Sequence, residues 1–366
     1  MQTPVITCVE PVDLAGGRYT VVDVRAPSEF AEGSVPGSVN LPLLDDAARS
    51  LVGTTYSRDG SKAARLLAMD LVGPRLPAYL RSIVAVAPPG RRPAVLCWRG
   101  GERSRNVVLM LALIGVHAVQ IKGGYRAYRR WVREALDVWE PPCPVFTLYG
   151  HTGAGKSELL RRLRALAPRL GPPRPWVVDL EDLALHRGSL LGGLNQPGRR
   201  TQRDFEALLW EEVRAPRGDY LVLEGEGRRI GRLSVPRSVA VAVSGGRPVQ
   251  VVASVEERTA RILAEYDPCG WTHEEQEAFR ESLALIGRGM RSTTLAGLRT
   301  AFEDGRFAEV VRTLLLEHYD PLYQKSSVEG RDFVLTLTAG HDPATDARRF
   351  AARVASILVG SDAQAP

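Results

Sequence analysis

Short apolar runs, separated by longer stretches with one apolar face, set the pattern of this chain. Tyr19-Thr20-Val21-Val22-Asp23-Val24, Ala94-Val95-Leu96 and Ala118-Val119-Gln120-Ile121 have the length and β-branched content of buried parallel strands. Val107 to Leu113 continues a helix begun near Ser104, and Tyr128, Trp131, Val132 and Ala135 recur at helical spacing. A second alternation opens at Val145-Phe146-Thr147-Leu148-Tyr149, followed by a helix whose apolar face is Leu159, Leu160, Leu163 and Leu166. Trp176 to Asp179, Tyr220 to Glu224, Val239 to Val243 and Val249 to Ala253 read as four more strands. From Glu256 onward the pattern is mainly helical, and Ser361 to Pro366 reads as a frayed tail.

Strands that alternate with helices predict parallel sheets, hence an α/β fold in both halves. The expected division is a parallel-sheet domain over residues 1–136 and a proline-bearing linker over 137–144. An α/β domain with a mainly helical C-terminal part follows over 145–330, then a C-terminal extension over 331–366.

A chain of 366 residues is long enough for two cores, and 44% apolar with 25% charged residues is a globular composition. No apolar run approaches the roughly 18 residues of a membrane span, so no membrane role is expected. Met1-Gln2-Thr3-Pro4-Val5 has neither a basic start nor a sustained apolar stretch, which makes the cytoplasm the expected compartment. Cys8, Cys97, Cys143 and Cys269 form no CxxC pair and no disulfide framework, so no structural metal is expected. The net charge of +6 suits a polyanionic partner. Only Lys62, Lys122, Lys156 and Lys325 are lysines, so a coding bias toward arginine accounts for the surplus equally well.

Cys97 ends one strand and opens Cys97-Trp98-Arg99-Gly100-Gly101-Glu102-Arg103-Ser104. Ligands of parallel sheets bind beyond the carboxyl ends of the strands. A loop of successive amides and the following helix N-terminus favour a thiolate there. Arg99, Gly100, Gly101 and Arg103 would shape a pocket for an anionic donor or a terminal chalcogen. Taken alone, Cys97 reads equally as a small buried hydrophobe.

Gly150-His151-Thr152-Gly153-Ala154-Gly155-Lys156-Ser157 satisfies GxxxxGK(S/T) between an expected strand and helix, a P-loop NTPase-like context. Gly150, Gly153 and Gly155 let amides turn to phosphate oxygens, Lys156 reaches the outer phosphate, and Ser157 can ligate Mg²⁺. Glu224 or Asp179, each at a strand end, would supply the metal-linked carboxylate, with Glu226 a competitor. The loop binds a diphosphate and does not by itself specify ATP, since any Mg²⁺-bound pyrophosphate ester would satisfy the same groups.

Arginines cluster at Arg161, Arg162 and Arg164, and at Arg288 and Arg291. Arg199, Arg200 and Arg203, and then Arg228, Arg229 and Arg232, fall on expected loops, where nucleic-acid contact and solvated surface are equally good readings. Tyr125-Arg126-Ala127-Tyr128-Arg129-Arg130-Trp131 reads as an amphipathic helix more readily than as a stacking surface. His186 reads as a helix-end residue without catalytic duty.

Asp23-Val24-Arg25, Glu29-Phe30, Gly33, the run Val35 to Pro42, the Cys97 loop and the run Gly123 to Tyr128 occur in rhodanese order. Residues 5–135 thus resemble a rhodanese-like domain, which implies a sulfane sulfur on Cys97 and a fold-stabilising role for Asp23 and Arg25. Ser34 stands where many rhodaneses have His and is read as structural.

A rhodanese-like domain followed by a P-loop domain resembles the tRNA 2-selenouridine synthases over residues 20 to about 325. Ala26 to Phe30, Val52 to Tyr56, Cys97 to Gly101, His186 to Ser189, Arg228 to Gly231 and Tyr319 to Tyr323 carry the likeness. Glu224-Gly225-Glu226-Gly227 departs from the more acidic, serine-containing form expected of the family.

The resemblance implies a transferase acting on the wobble 2-thiouridine of tRNA. Geranyl diphosphate would alkylate the sulfur, and selenophosphate would displace the geranylthiol to leave 2-selenouridine. Cys97 would serve the selenium step, and the phosphate loop would hold the Mg²⁺-bound diphosphate. A selenophosphate-supplying enzyme is an expected partner. Two alternatives stay open: an ATP-dependent tRNA sulfurtransferase, and a non-catalytic nucleotide-gated RNA-binding module.

Overall fold

The computed structural model describes residues 6–186, 200–225, 227–323, 331–340 and 342–362. The chain divides into two compact units, residues 1–137 with 201–211, and residues 138–200 with 212–366.

The first unit is built on five parallel strands, β1 (Cys8–Val9), β2 (Tyr19–Asp23), β3 (Val39–Asn40), β4 (Arg92–Leu96) and β5 (Val119–Ile121). Their order is β1-β5-β4-β2-β3, so β4 lies in the middle and its Ala94, Val95 and Leu96 are fully buried. The helix Glu102–Leu113 buries Ser104, Val107, Val108 and Leu111, one face at helical spacing. A helical segment, Asp46–Val72, runs between β3 and β4 as two helices broken at Gly60, where φ is 85°, its N-terminus capped by Asp45 accepting from the Ala48 amide at 2.8 Å. Only Ala64 and Val72 are buried along it, so its sequence carries no apolar stripe.

Residues 201–211 pack into this unit from far along the chain. The Ser34 amide donates to Asp204 at 2.9 Å, and Trp210 meets Trp131 edge to face with ring centroids 5.7 Å apart. Tyr128 is buried while Arg126 and Arg130 are exposed, and Arg129 pairs with Glu206. The helix Gly124–Asp137 is therefore ordinarily amphipathic.

The second unit contains β6 (Val145–Tyr149), β7 (Pro175–Val178), β8 (Tyr220–Glu224), the hairpin of β9 (Arg229–Ile230) and β10 (Leu233–Ser234), β11 (Arg247–Val252) and β12 (Leu335–Thr338). The five longer strands are parallel in the order β12-β11-β6-β8-β7. The chain winds from β6 to one side and then to the other, which makes the carboxyl end of β6 the switch point where ligands bind. Trp139, in the expected linker, is buried, and its indole donates to the Val213 carbonyl at 3.0 Å.

Two expectations change. Residues Val239 to Val243 lie in a helix, Arg237–Gly245, that buries Val239, Ala242 and Val243 and exposes Val241. The run is too short for period to separate helix from strand, and packing overrode the β propensity of its valines. Within the extension, β12 pairs with β11, and the helix Pro343–Asp362 buries Ala347, Phe350, Ala351 and Val354 in the sheet's core. Of the expected frayed tail, residues 361 and 362 end that helix and 363–366 lie outside the described residues.

The helices Val255–Tyr266, His273–Ile286, Ser292–Glu303 and Phe307–Leu314 follow β11. The first two start on capping boxes, Ser254 with Glu257 and Thr272 with Glu275. A separate core forms here around Phe279, Leu283, Leu298 and Phe302. Among the described residues no helix is long and apolar enough to cross a membrane.

Candidate functional site

In the first unit the candidate site is the loop after β4. Cys97 is 3% exposed, and its Sγ lies 3.2 Å from Ser104 Oγ on the first turn of the next helix. Gln120 of β5 donates to Ser104 Oγ at 2.8 Å and to the Gly100 carbonyl at 2.7 Å. One amide group thus ties loop, helix and thiol partner together. Sequence reasoning missed Gln120, whose signal is a polar side chain inside an otherwise apolar strand.

Backbone approach explains the glycines. Gly100 and Gly124 adopt φ of 64° and 60°, and a Cβ on Gly124 would fall 2.1 Å from the Cys97 carbonyl oxygen. The Tyr125 amide donates to that same carbonyl at 2.9 Å, and Gly101 stands at the N-terminus of the helix.

The expected pair of arginines is not a pair in space. Arg103 is held by the Glu29 carboxylate at 2.6 and 3.0 Å, whereas Arg99 is exposed. Burial pushes the Glu29 carboxyl up, but the Arg103 hydrogen bonds and charge outweigh it and hold it below its ordinary value. Arg103 is therefore matched to Glu29, because a half-buried cation without a counter-charge would be costly. Asp23 and Arg25 are fully buried, and Arg25 also donates to the Glu29 and Gly33 carbonyls at 3.0 and 2.8 Å. The Arg25 guanidinium lies 3.9 Å from the Tyr125 ring centroid. That network ties β2 to the segments around Glu29 and Gly33 and so holds the fold.

In the second unit the candidate site is the loop after β6. Gly150 approaches β11 so closely that a Cβ would sit 2.2 Å from the Val251 carbonyl oxygen. Gly153 and Gly155 take φ of 76° and 98°, and the helix Lys156–Leu166 starts directly after them. Lys156 Nζ folds back to donate to the Gly150 carbonyl at 2.8 Å. Ser157 Oγ lies 3.0 Å from Glu224 and 3.5 Å from Glu181.

Asp179, the other candidate carboxylate, accepts from the Asp182 amide at 2.9 Å and caps the helix Leu180–Ala184. Burial pushes its carboxyl up. Its place beside Ser157 is taken by Glu181, which sequence reasoning passed over. Glu226 lies outside the described residues.

Residues from the helical part clasp this loop. Arg258 donates to the Thr152 carbonyl at 2.8 Å and to both Asp320 carboxylate oxygens at 3.0 and 2.6 Å. His151 Nδ1 is 3.1 Å from Asp320, and the Tyr323 ring centroid lies 5.7 Å from the His151 ring and 5.3 Å from Lys156 Nζ. Arg261 donates to the Gly153 and Ala154 carbonyls, each at 3.3 Å, and to Gly340 at 3.1 Å. The only local signal for Arg258 and Arg261 is their i,i+3 spacing on one helix, hidden among many arginines.

Of the candidate tRNA contacts, Arg199 lies outside the described residues, as do Arg187, Gly188 and Ser189. Arg200 donates to the Leu183 carbonyl at 3.3 Å. Arg203 sits not on a loop but on the helix Gln202–Val213, paired with Glu32 at 2.9 Å. Arg228, Arg229 and Arg232 are exposed on the β9–β10 hairpin. Gly231 in its turn takes φ of 56°, and a Cβ there would meet the His186 ring at 2.6 Å. Burial pushes His186 below its ordinary value, as fits a packing residue.

The family model for the tRNA 2-selenouridine synthase AAA domain matches residues 143–341, and that for the rhodanese-like domain matches residues 13–130. The tRNA 2-selenouridine synthase of Nitrosomonas eutropha is 33% identical over 290 residues, which is 78% of this chain and 72% of that protein. Its counterpart in Cupriavidus necator is 35% identical over 342 residues, 85% of this chain and 89% of that protein. The one in Photobacterium profundum is 33% identical over 330 residues, 83% and 87% of the two chains. This chain belongs to the tRNA 2-selenouridine synthase family.

Proposed function

We propose, with that membership as the premise, that the chain makes 2-selenouridine from the wobble 2-thiouridine of tRNA in two transfers. In the first, the 2-thio sulfur attacks C1 of geranyl diphosphate. The C–O bond breaks, diphosphate leaves with the N3 proton, and S-geranyl-2-thiouridine remains. In the second, selenium from selenophosphate adds at C2 of the base and geranylthiol leaves. Water takes the phosphoryl group, giving 2-selenouridine, geranylthiol and phosphate.

The phosphate loop serves the first transfer. Lys156 and the loop amides neutralise charge that grows on the departing diphosphate. Ser157 Oγ with the Glu224 and Glu181 carboxylates is an oxygen donor set of the kind Mg²⁺ takes while keeping several waters. Bound there, Mg²⁺ would add electrostatic stabilisation of the leaving group. Cys97 serves the second transfer as a nucleophile, its thiolate displacing geranylthiol at C2 before selenium displaces the thiolate in turn, with Arg99 beside it as the exposed cation for an anionic donor. The exposed Arg228, Arg229 and Arg232 suit the tRNA backbone.

One observation carries this reading: a Ser157–Glu224 pair at 3.0 Å in a complete phosphate loop shares a chain with a buried Cys97 partnered by Ser104 at 3.2 Å. The test is mass spectrometry of nucleosides from 2-thiouridine tRNA incubated with the protein, Mg²⁺, geranyl diphosphate and selenophosphate. Passage through S-geranyl-2-thiouridine to 2-selenouridine is expected. Unchanged 2-thiouridine from folded protein that turns over ATP would overturn it in favour of an ATP-driven sulfurtransferase.

A further inference from the structure

An apolar cleft lies in the helical part of the second unit. Ile262, Trp271, Phe279, Phe302, Val311 and Tyr319 are among its lining residues, and the wall is almost wholly carbon. One end of it touches the phosphate loop. A Cβ on Gly153 would lie 3.0 Å from Ile262 Cδ1, and Tyr319 directly precedes Asp320, which stands 3.1 Å from His151 of the same loop.

Empty apolar space forfeits dispersion contacts on its walls, and it does not hold ordered water, which needs polar partners. A cleft with this lining is the kind that binds small apolar groups. A nucleobase fits it poorly, because the base's buried polar edges would be left without partners.

We propose that this cleft holds the hydrocarbon tail of the diphosphate ester whose head occupies the phosphate loop, a prenyl chain. The proposal rests on the diphosphate reading of that loop and adds to it the feature that selects the ester. Ile262 marks the junction of head and tail, and the aromatic rings of Trp271, Phe279 and Phe302 form the floor.

The experiment is calorimetric titration of the full chain, in Mg²⁺, with inorganic pyrophosphate, dimethylallyl diphosphate and geranyl diphosphate. Val311→Trp, which fills the cleft from a half-buried position, is titrated alongside after its melting temperature has been checked. In the unaltered chain, affinity should rise at least tenfold from pyrophosphate to geranyl diphosphate, with dimethylallyl diphosphate between. Val311→Trp should lose that gain and keep its pyrophosphate affinity within twofold.

Pyrophosphate binding with no gain from either tail overturns the tail site and leaves the diphosphate reading standing. A full gain in folded Val311→Trp does the same. Failure of pyrophosphate to bind the unaltered chain removes both together. If Val311→Trp does not fold, Val311→Phe, a smaller filling change at the same position, is titrated in its place with the same two outcomes.

Discussion

Ser157 Oγ lies 3.0 Å from Glu224 Oε1, although 67 residues separate them in sequence. Strand pairing brings this about. β6 and β8 run parallel with Leu148 opposite Glu224, so the loop and helix that follow β6 set Ser157 beside the carboxyl end of β8. Glu224 is fully buried, and a carboxylate held there is committed to whatever the loop binds.

Glu224→Gln keeps the shape and the acceptor for Ser157 while removing the charge. Geranyl transfer is expected to slow by at least about tenfold, the scale of one electrostatic contact in a transition state. The Mg²⁺ concentration for half-maximal rate should rise with it. Asp179→Asn, by contrast, should alter mainly stability, by at most about 1 kcal/mol for a changed cap. Steady-state rates against Mg²⁺ and thermal melts of both variants separate the two roles.

Cys97→Ala and Lys156→Ala should fail at different steps. With Cys97 replaced, S-geranyl-2-thiouridine should accumulate in tRNA and 2-selenouridine should not appear. With Lys156 replaced, 2-thiouridine should stay unmodified. Nucleoside mass spectrometry reads both, and loss of both steps in Cys97→Ala would refute the division of labour.

Gln120→Leu removes the donor to Ser104 Oγ and to the Gly100 carbonyl, bonds of 2.8 and 2.7 Å. Leaving buried acceptors unpaired costs about 1–3 kcal/mol, which a denaturant melt would show. Selenium transfer should fall while geranyl transfer holds. A variant that melts early but transfers selenium normally would confine Gln120 to stability.

Burial pushes the His151 imidazole below its ordinary 6.5, helped by the Arg258 and Lys156 charges and opposed by Asp320. Its folded form therefore favours the neutral ring. As pH falls below about 6.5 the unfolded chain takes up the proton first, so stability is lost from there down through the lower folded value. Melting temperatures between about pH 7 and pH 5 should drop more steeply in the unaltered chain than in His151→Asn, which cannot titrate. Equal slopes would contradict the assignment.

The two functional loops were legible in the sequence because each is a strand, a turn and a helix start within about ten residues. Glycine at Gly100, Gly153 and Gly155, the Cys97 thiol and the Lys156-Ser157 pair are dictated by local backbone and phosphate chemistry. The alternation of β-branched runs with amphipathic stretches likewise determined two parallel sheets.

Only the tertiary structure decided which side chains face those loops. That Glu224 and Glu181 meet Ser157 while Asp179 caps a helix depends on how β6, β7 and β8 pair, which no local period encodes. Arg103 turns to Glu29 across 74 residues of sequence, and Asp320 reaches Arg258 across 62. The valines of Val239 to Val243 became helical because one face of Arg237–Gly245 packs inward, a choice made by burial and not by propensity. Contacts that close long loops depend on the packing of the whole chain, so their partners are absent from any window of sequence.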